Sequence, residues 1–254
     1  MMRFAFLGSG SRGNAALVEA NGTCVMIDCG FTAREAETRL ARLGKRPADV
    51  SAIIVTHEHS DHIGGVAPFA RRHRVPVWMT VGTRVNSVAG ELPELRLFSS
   101  HESFTVDGLS IHPYPVPHDA REPAQFVFDT GAHRLGMLTD AGAVTAHMET
   151  MLADCDALVL ECNHDPHMLA TGPYPPPLKA RVGGRFGHLS NAQAGAILER
   201  VRAGRLQHVV AAHLSEKNNR PELARAALSG ALGCEPEWIS VADQDRGLGW
   251  REIV

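Results

Sequence analysis

Along the whole chain, short apolar runs alternate with stretches in which apolar residues recur at helical spacing. Val25-Met-Ile27, Ala52-Ile-Ile-Val55, Leu158-Val-Leu160 and Val209-Val-Ala-Ala212 contain no polar residue, which is how strands buried on both faces read. The pattern predicts strands over 3–7, 15–20, 24–28, 52–56, 76–79, 103–106, 109–116, 124–129, 134–139, 157–161, 208–212, 237–241 and 248–253. It predicts helices over 32–43, 63–73, 82–89, 144–153, 190–203 and 221–231. Ser190 or Asn191 supplies a start signal for the fifth helix, and Pro221 suits the first turn of the last. Asn21-Gly22, Asp107-Gly108 and Thr130-Gly131 read as hairpin turns, and hairpins mixed with helices imply sheet layers covered by helices. Thr171 to Gly187, rich in Pro and Gly, reads as a surface loop. No linker, repeat or low-complexity tract divides the chain, so one α/β domain over 1–254 is expected.

Composition narrows the class without naming a chemistry. Hydrophobic content of 44% and charged content of 21% over 254 residues describe an ordinary globular protein. A net charge of −3 excludes a strongly basic nucleic-acid protein, though not a local basic groove. Cys24, Cys29, Cys155, Cys162 and Cys234 form an odd set with no C-x-x-C pair, so free thiols in a reducing compartment are expected. The apolar part of the N-terminus is too short for a signal peptide, and no run approaches the roughly 18 apolar residues of a membrane span. The expectation is a cytoplasmic protein without membrane contact, with a homodimer left open. The compositional outlier is histidine, with 14 residues against 25 Lys plus Arg.

Three of those histidines stand in Thr56-His-Glu-His-Ser-Asp-His62, directly after an apolar run and before Gly64-Gly65. Imidazole and carboxylate are ligands of borderline transition metals. His57, His59, Asp61 and His62 in one tight loop are more than one metal needs, which suggests two. Other apolar runs end in the same residue types: at Asp28, at His118-Asp119, at Asp140, at Glu161 and at His213. Functional groups gather beyond the carboxyl ends of strands in sheets covered by helices, so these ends describe one polar floor. Gly8-Ser-Gly-Ser-Arg-Gly13 matches the dinucleotide fingerprint G-x-G-x-x-G, but that site needs a helix at the third glycine. A hairpin of two strands follows instead, and a tight turn near the site is the better reading.

The loop Thr56-His-Glu-His-Ser-Asp-His-Ile-Gly-Gly65 resembles the H-x-H-x-D-H signature of the metallo-β-lactamase superfamily, and Asp28, His118, Asp140 and His213 fall in that superfamily's order. Ser9-Gly-Ser-Arg-Gly-Asn14, Glu161-Cys-Asn-His-Asp165, Gly172-Pro-Tyr-Pro175, Gly187-His-Leu-Ser-Asn191 and Ala212-His-Leu-Ser-Glu-Lys-Asn-Asn219 are similar to the YycJ/WalJ group of small metallohydrolases. That group is similar in turn to ribonuclease Z and related phosphodiesterases. The resemblance implies a four-layer αβ/βα sandwich with the site along one edge of the two sheets. It implies one metal on His57, His59 and His118 and another on Asp61, His62 and His213, bridged by Asp140, with Asp28 bracing the histidine loop. Antibiotic-hydrolysing members commonly ligate with a cysteine, and none of the five stands at a ligand position.

The implied reaction is hydrolysis of a phosphodiester, DNA favoured and 5′-to-3′ exonuclease activity included, by a water activated between two metals. A donor set of nitrogen and oxygen suits zinc first, and manganese or iron as well. Asp61, Glu161 and His188 are the catalytic candidates. Glu161 would hold His188 protonated for the leaving oxygen, although His188 could also displace His213 as a ligand. Lys179, Arg181 and Arg185 precede His188, and Lys217 and Arg220 follow His213; such cations position nucleic acid through its phosphates. The same metals could cleave a thioester, lactone or amide, and a non-catalytic metal-bound signalling partner is the third reading. His164 and His167 are expected at the surface or behind the ligands.

Overall fold

Apolar runs with no polar member need a protein surface on each face, and the tertiary structure supplies it twice. The computed structural model describes residues 1–87, 90–202 and 204–254. The first half contributes β1 (Met2–Gly8), β2 (Ala15–Ala20), β3 (Thr23–Ile27), β4 (Ala52–Ile54), β5 (Val77–Thr80) and β6 (Leu95–Phe98). The second contributes β7 (Phe104–Val106), β8 (Leu109–Pro115), β9 (Ala124–Asp129), β10 (Arg134–Leu138), β11 (Ala157–Glu161), β12 (His208–Ala212), β13 (Ser240–Val241) and β14 (Leu248–Ile253). They form two sheets, ordered β14-β1-β2-β3-β4-β5-β6 and β13-β12-β11-β10-β9-β8-β7. In each, antiparallel hairpins adjoin a parallel half: β3 to β6 in the first sheet, β10 to β13 in the second.

The side-chain period of two decides which residues go where. Val25, Ile54, Val159 and Val210 belong to the cluster that joins the two sheets, with Phe4, Phe126 and Phe128. Their neighbours Met26 and Ile53 pack outward against Leu40 of α1 (Ala33–Arg42) and Phe69. Leu158, Leu160 and Val209 pack outward against Met148, Ile197 and Leu228. The result is a four-layer αβ/βα sandwich, as expected. The remaining helices are α2 (Ser60–Ile63), α3 (Val66–His73), α4 (Val81–Asn86), α5 (Ala146–Leu152), α6 (Pro166–Thr171), α7 (Pro176–Val182), α8 (Asn191–Val201) and α9 (Pro221–Leu232). No helix among the described residues is long and apolar enough to cross a membrane.

Several expectations change. The segment 171–187 is not a loop throughout, because Pro175-Pro-Pro177 starts α7. Proline breaks a helix interior yet suits its first turn, so the same residues carry both signals. β6 was not foreseen; its Leu97 is half exposed, and pairing with β5 together with the burial of Phe98 in the core holds it as an edge strand. The expected strand 237–241 shortens to β13 behind a 3₁₀ turn at Pro236–Trp238. The expected helices 82–89 and 190–203 reach Asn86 and Val201, and positions 88, 89 and 203 lie outside the described residues. Ser190 is the cap of α8: its hydroxyl accepts from Gln193 N while the Gln193 side chain accepts from Ser190 N.

The expected helix 63–73 breaks at Gly64-Gly65, and the break locks the histidine loop onto the turn after β3. Asn14 N donates to Asp61 O at 2.8 Å, Cys29 N to His62 O at 2.8 Å and Gly65 N to Cys29 O at 2.7 Å. A Cβ on Gly30 would lie 1.7 Å from Asp61 O, and one on Gly65 would lie 1.7 Å from Phe31 O. Only glycine permits that backbone approach. Gly30→Ala is therefore expected to cost about 3 kcal/mol, the upper end of overpacking, because the obstacle is backbone. Gly230→Ala, at an exposed α9 position with nothing within 4 Å, is expected to stabilise by about 0.5–1 kcal/mol. Urea titration of both variants measures the contrast.

Candidate metal centre and catalytic cleft

The parallel halves of both sheets release their chains at one edge, and the residues that follow turn inward. Asp28 comes directly after β3, His213 directly after β12, and Asp140 two residues past β10. All three sit at positive φ, 59°, 54° and 53° respectively. Asp and His tolerate this left-handed conformation better than most residues. It reverses the chain at once, so the side chain leaves the pleat for the sheet edge.

Around Asp28 the support is complete. Its carboxylate accepts from Thr56 N, Thr56 Oγ1 and His62 Nδ1, each at 2.8 Å. His62 thereby holds its proton on Nδ1 and presents Nε2 to the site. Burial lifts the Asp28 carboxyl above its ordinary range, against the opposing pull of His62 and Thr56.

The donors then cluster. His118 donates Nδ1 to Gly187 O at 3.0 Å, and the His59 ring places Nε2 3.2 Å from Asp119 O. With those nitrogens committed to carbonyls, His118 Nε2 and His59 Nδ1 face each other at 3.3 Å. His57, His59 and His118 form one compact donor group; Asp61, His62 and His213 form another. Asp140 lies between them, with Oδ2 3.4 Å from His62 Nε2 and Oδ1 3.0 Å from His213 Nδ1 and 4.0 Å from His118 Nε2. Asp61 Oδ2 stands 3.5 Å from His62 Nε2 and 3.7 Å from His213 Nε2.

These residues fit divalent cations on two observations. His57 Nε2 and Asp140 Oδ2 are buried with no hydrogen-bond partner. Such orphaned groups are costly unless something else occupies them. The facing lone pairs of His59 and His118 repel each other unless a cation or a proton lies between them. Burial, reinforced by the charge of His62, drives His57 well below the ordinary histidine range. Burial opposes charge on His62 and His213 too, but Asp140 and neighbouring carboxylates outweigh it and raise both well above that range. Asp140 itself is held well below its range: burial acts to raise it, and His213 and His62 prevail. Asp61 is lowered in the same way, chiefly by His213.

Beside these groups stands a carboxylate–imidazole pair. Glu161, fully buried at the end of β11, places Oε1 2.7 Å from His188 Nδ1 and 3.2 Å from His213 Nδ1. Its Oε2 accepts from Ala141 N and Leu189 N, both at 3.0 Å. Burial would raise this carboxyl, but His188 and His213 more than offset it and bring it down to about 2. Glu161, His188, His213 and Asp140 also form a compact donor group, which places His188 next to the other donors.

A cleft of about 320 Å³ opens above, lined by Ser11, His59, Ser60, Asp61, Asp140, Asn163, Arg181, His188 and His213. Of the three expected substrate cations only Arg181 lines it, with Nε 2.6 Å from Asp119 Oδ2. Lys179, expected to contact substrate, instead donates to Ala170 O at 2.6 Å, and Arg185 is exposed away from the lining. His164 is buried, its carbonyl accepting from Asn191 N at 2.9 Å, whereas His167 is exposed.

Other supports escaped the sequence reading. Ser9 Oγ accepts from His213 N at 2.8 Å, Asn14 Nδ2 lies 3.1 Å from His62 Nε2, and Asn163 Nδ2 donates to His213 O at 3.1 Å. The short motifs at 9–14 and 161–165 mark these segments, but only the fold shows what they hold. The segment after Gly13 is the β2–β3 hairpin, not a helix, so it forms no dinucleotide site. All five cysteines are free; Cys162, next to Glu161 in sequence, is buried and its thiol is pushed well up, first by burial.

The sequence profile of the Beta-lactamase superfamily domain matches residues 23–213. The chain is 34% identical to the exodeoxyribonuclease YycJ of Bacillus anthracis over 91% of its own length and 89% of that protein's. It is 30% identical to the exodeoxyribonuclease WalJ of Streptococcus pneumoniae, over 97% and 91% respectively. Its fold is similar to the metallo-β-lactamase fold protein YhfI of Bacillus subtilis, with a TM-score of 0.75 and 17% identity over 98% of both chains. Matches of that extent cover the histidine loop, both sheets and His213 together. The chain belongs to the beta-lactamase superfamily and, within it, to the YycJ/WalJ group of metal-dependent hydrolases.

Proposed function

We propose that this protein is a dinuclear phosphodiesterase acting on DNA, working as a single domain over 1–254. The observation that carries the reading is the pair of donor triads with Asp140 between them, the Glu161–His188 pair on their flank and Arg181 on the cleft wall. The exodeoxyribonuclease relatives favour DNA as the substrate and an exonucleolytic mode. His57, His59 and His118 would hold one cation and Asp61, His62 and His213 the other, with Asp140 reaching both and zinc the first choice of metal. When bound, the two cations supply a water of lowered pKa and electrostatic stabilisation of charge on the phosphoryl oxygens.

The chain's own residues do the rest. Arg181 meets a non-bridging phosphate oxygen, exchanging its bond to Asp119 for one to substrate. Asp61, partly open to the cleft, accepts a hydrogen bond from the attacking water and orients it. The new oxygen–phosphorus bond forms in line with the one that breaks. His188, with Nδ1 tied to Glu161, turns Nε2 to the departing oxygen and gives it a proton. Glu161 stays ionised near neutrality and stabilises the charged ring.

Elemental analysis of the purified protein should find two divalent ions per chain, and the loaded protein should cleave single-stranded DNA. An Asp61→Ala control should lose that activity; activity that persists in it would indict a contaminant. Preference for a thioester or lactam over DNA would overturn the phosphodiesterase assignment. His188→Gln should cut kcat by roughly 10²–10⁴-fold with metal content unchanged. Loss of an ion from His188→Gln would instead make His188 a ligand. Asp28→Ala should weaken metal binding by about 10–100-fold, as removal of a hydrogen-bond partner behind a ligating histidine does, and a chelator competition titration measures it.

A further inference from the structure

Between His57 and His59 stands a glutamate that does not line the cleft. The Glu58 carboxylate bonds instead to two other segments. Its Oε1 accepts from Arg121 N and from the Asn86 Nδ2 of α4, both at 2.8 Å. Its Oε2 is buried with no partner. A buried polar atom left so calls for an explanation, and the two bonds made by the other oxygen point to one.

Arg121 belongs to the connection from β8 to β9, the segment that carries His118 and Asp119. α4 braces that connection from outside. Gly82 N donates to Glu122 Oε2 at 2.6 Å and Thr80 Oγ1 to Glu122 O at 2.9 Å. A Cβ on Gly82 would lie 2.4 Å from the Glu122 Cβ, so helix and connection are in close contact. Glu58 ties both of them to the histidine loop. Within the tied segment Asp119 O lies 3.2 Å from His59 Nε2, and His118 Nε2 faces His59 Nδ1 at 3.3 Å.

We propose that Glu58 is a positioning residue for the first cation site: through Arg121 N it sets the separation of His59 and His118, donors that arrive on different segments. Groups that fix the orientation of ligating imidazoles govern metal affinity without touching the metal. The proposal rests on the two-cation reading above and concerns one site of the two. The second site draws its support from Asp28, Asn14, Ser9 and Asn163.

The test measures zinc affinity by chelator competition in two backgrounds of the full chain. His213→Ala cripples the second site and His118→Ala the first. Adding Glu58→Ala should weaken zinc about tenfold in the His213→Ala protein. In the His118→Ala protein it should change affinity by less than about twofold, since the sites do not share this support. Glu58→Gln, with its carbonyl in the place of Oε1, keeps both bonds and should restore the affinity. Asn86→Ala removes one bond at an exposed position and should weaken zinc about threefold in the His213→Ala protein, which keeps the test open if Glu58→Ala does not fold. Equal losses in the two backgrounds, no loss in either, or a Glu58→Gln protein as weak as Glu58→Ala overturns the positioning role and leaves the two-cation reading intact. Fewer than two ions in the wild type overturns both.

Discussion

A carboxylate buried at the end of β3 determines where the histidine loop can lie. Asp28 receives three hydrogen bonds from two residues of that loop, and they fix Thr56 and the His62 ring together. A buried charge without partners would be expensive, so the loop and the turn after β3 stabilise only in this arrangement. Gly30 and Gly65 let the two backbones touch, and Cys29 clasps the loop from both sides through its N–H and its carbonyl. His57 and His59 of the first donor triad and Asp61 and His62 of the second follow from this one contact.

The second sheet brings the remaining donors by a different device. β10, β11 and β12 run parallel, so Asp140, Glu161 and His213 reach the same edge in successive strands. Asp140 and His213 leave their strands in left-handed turns, a conformation that costs about 1–2 kcal/mol for ordinary residues. Backbone bonds over-determine those turns: His213 N is held by Ser9, and Ala141 N by Glu161. Glu161 thus acts twice, as the acceptor that closes the turn after Asp140 and as the partner of His188.

The layer order and most strands were legible because runs such as Ile53-Ile54 and Val209-Val210 need apolar surroundings on both faces wherever they go. Of the seven proposed ligands, His57, His118, Asp140 and His213 were legible because each stands where an apolar run stops, and His59, Asp61 and His62 because they share one short loop with His57, local features both. α7 was not, since Pro175-Pro-Pro177 signals a helix start and a chain break with the same residues. Neither was β6, which is held by pairing with β5 and by Phe98 reaching Phe126 across the core, contacts distant in sequence. Arg181 differs from Lys179 and Arg185 in nothing local; it lines the cleft because Asp119, 62 positions away, turns it there.

The amino-acid sequence by itself determined the layers, the donor types and the order in which they arrive, because hydrophobic period and side-chain chemistry are properties of each segment. Tertiary structure alone decided which nitrogen each histidine presents and which of the three expected substrate cations lines the cleft. Those features depend on contacts between residues far apart in the chain. The partner that fixes a ring or a turn, such as Asp28 for His62 or Ser9 for His213, leaves no mark in the pattern around the residue it holds.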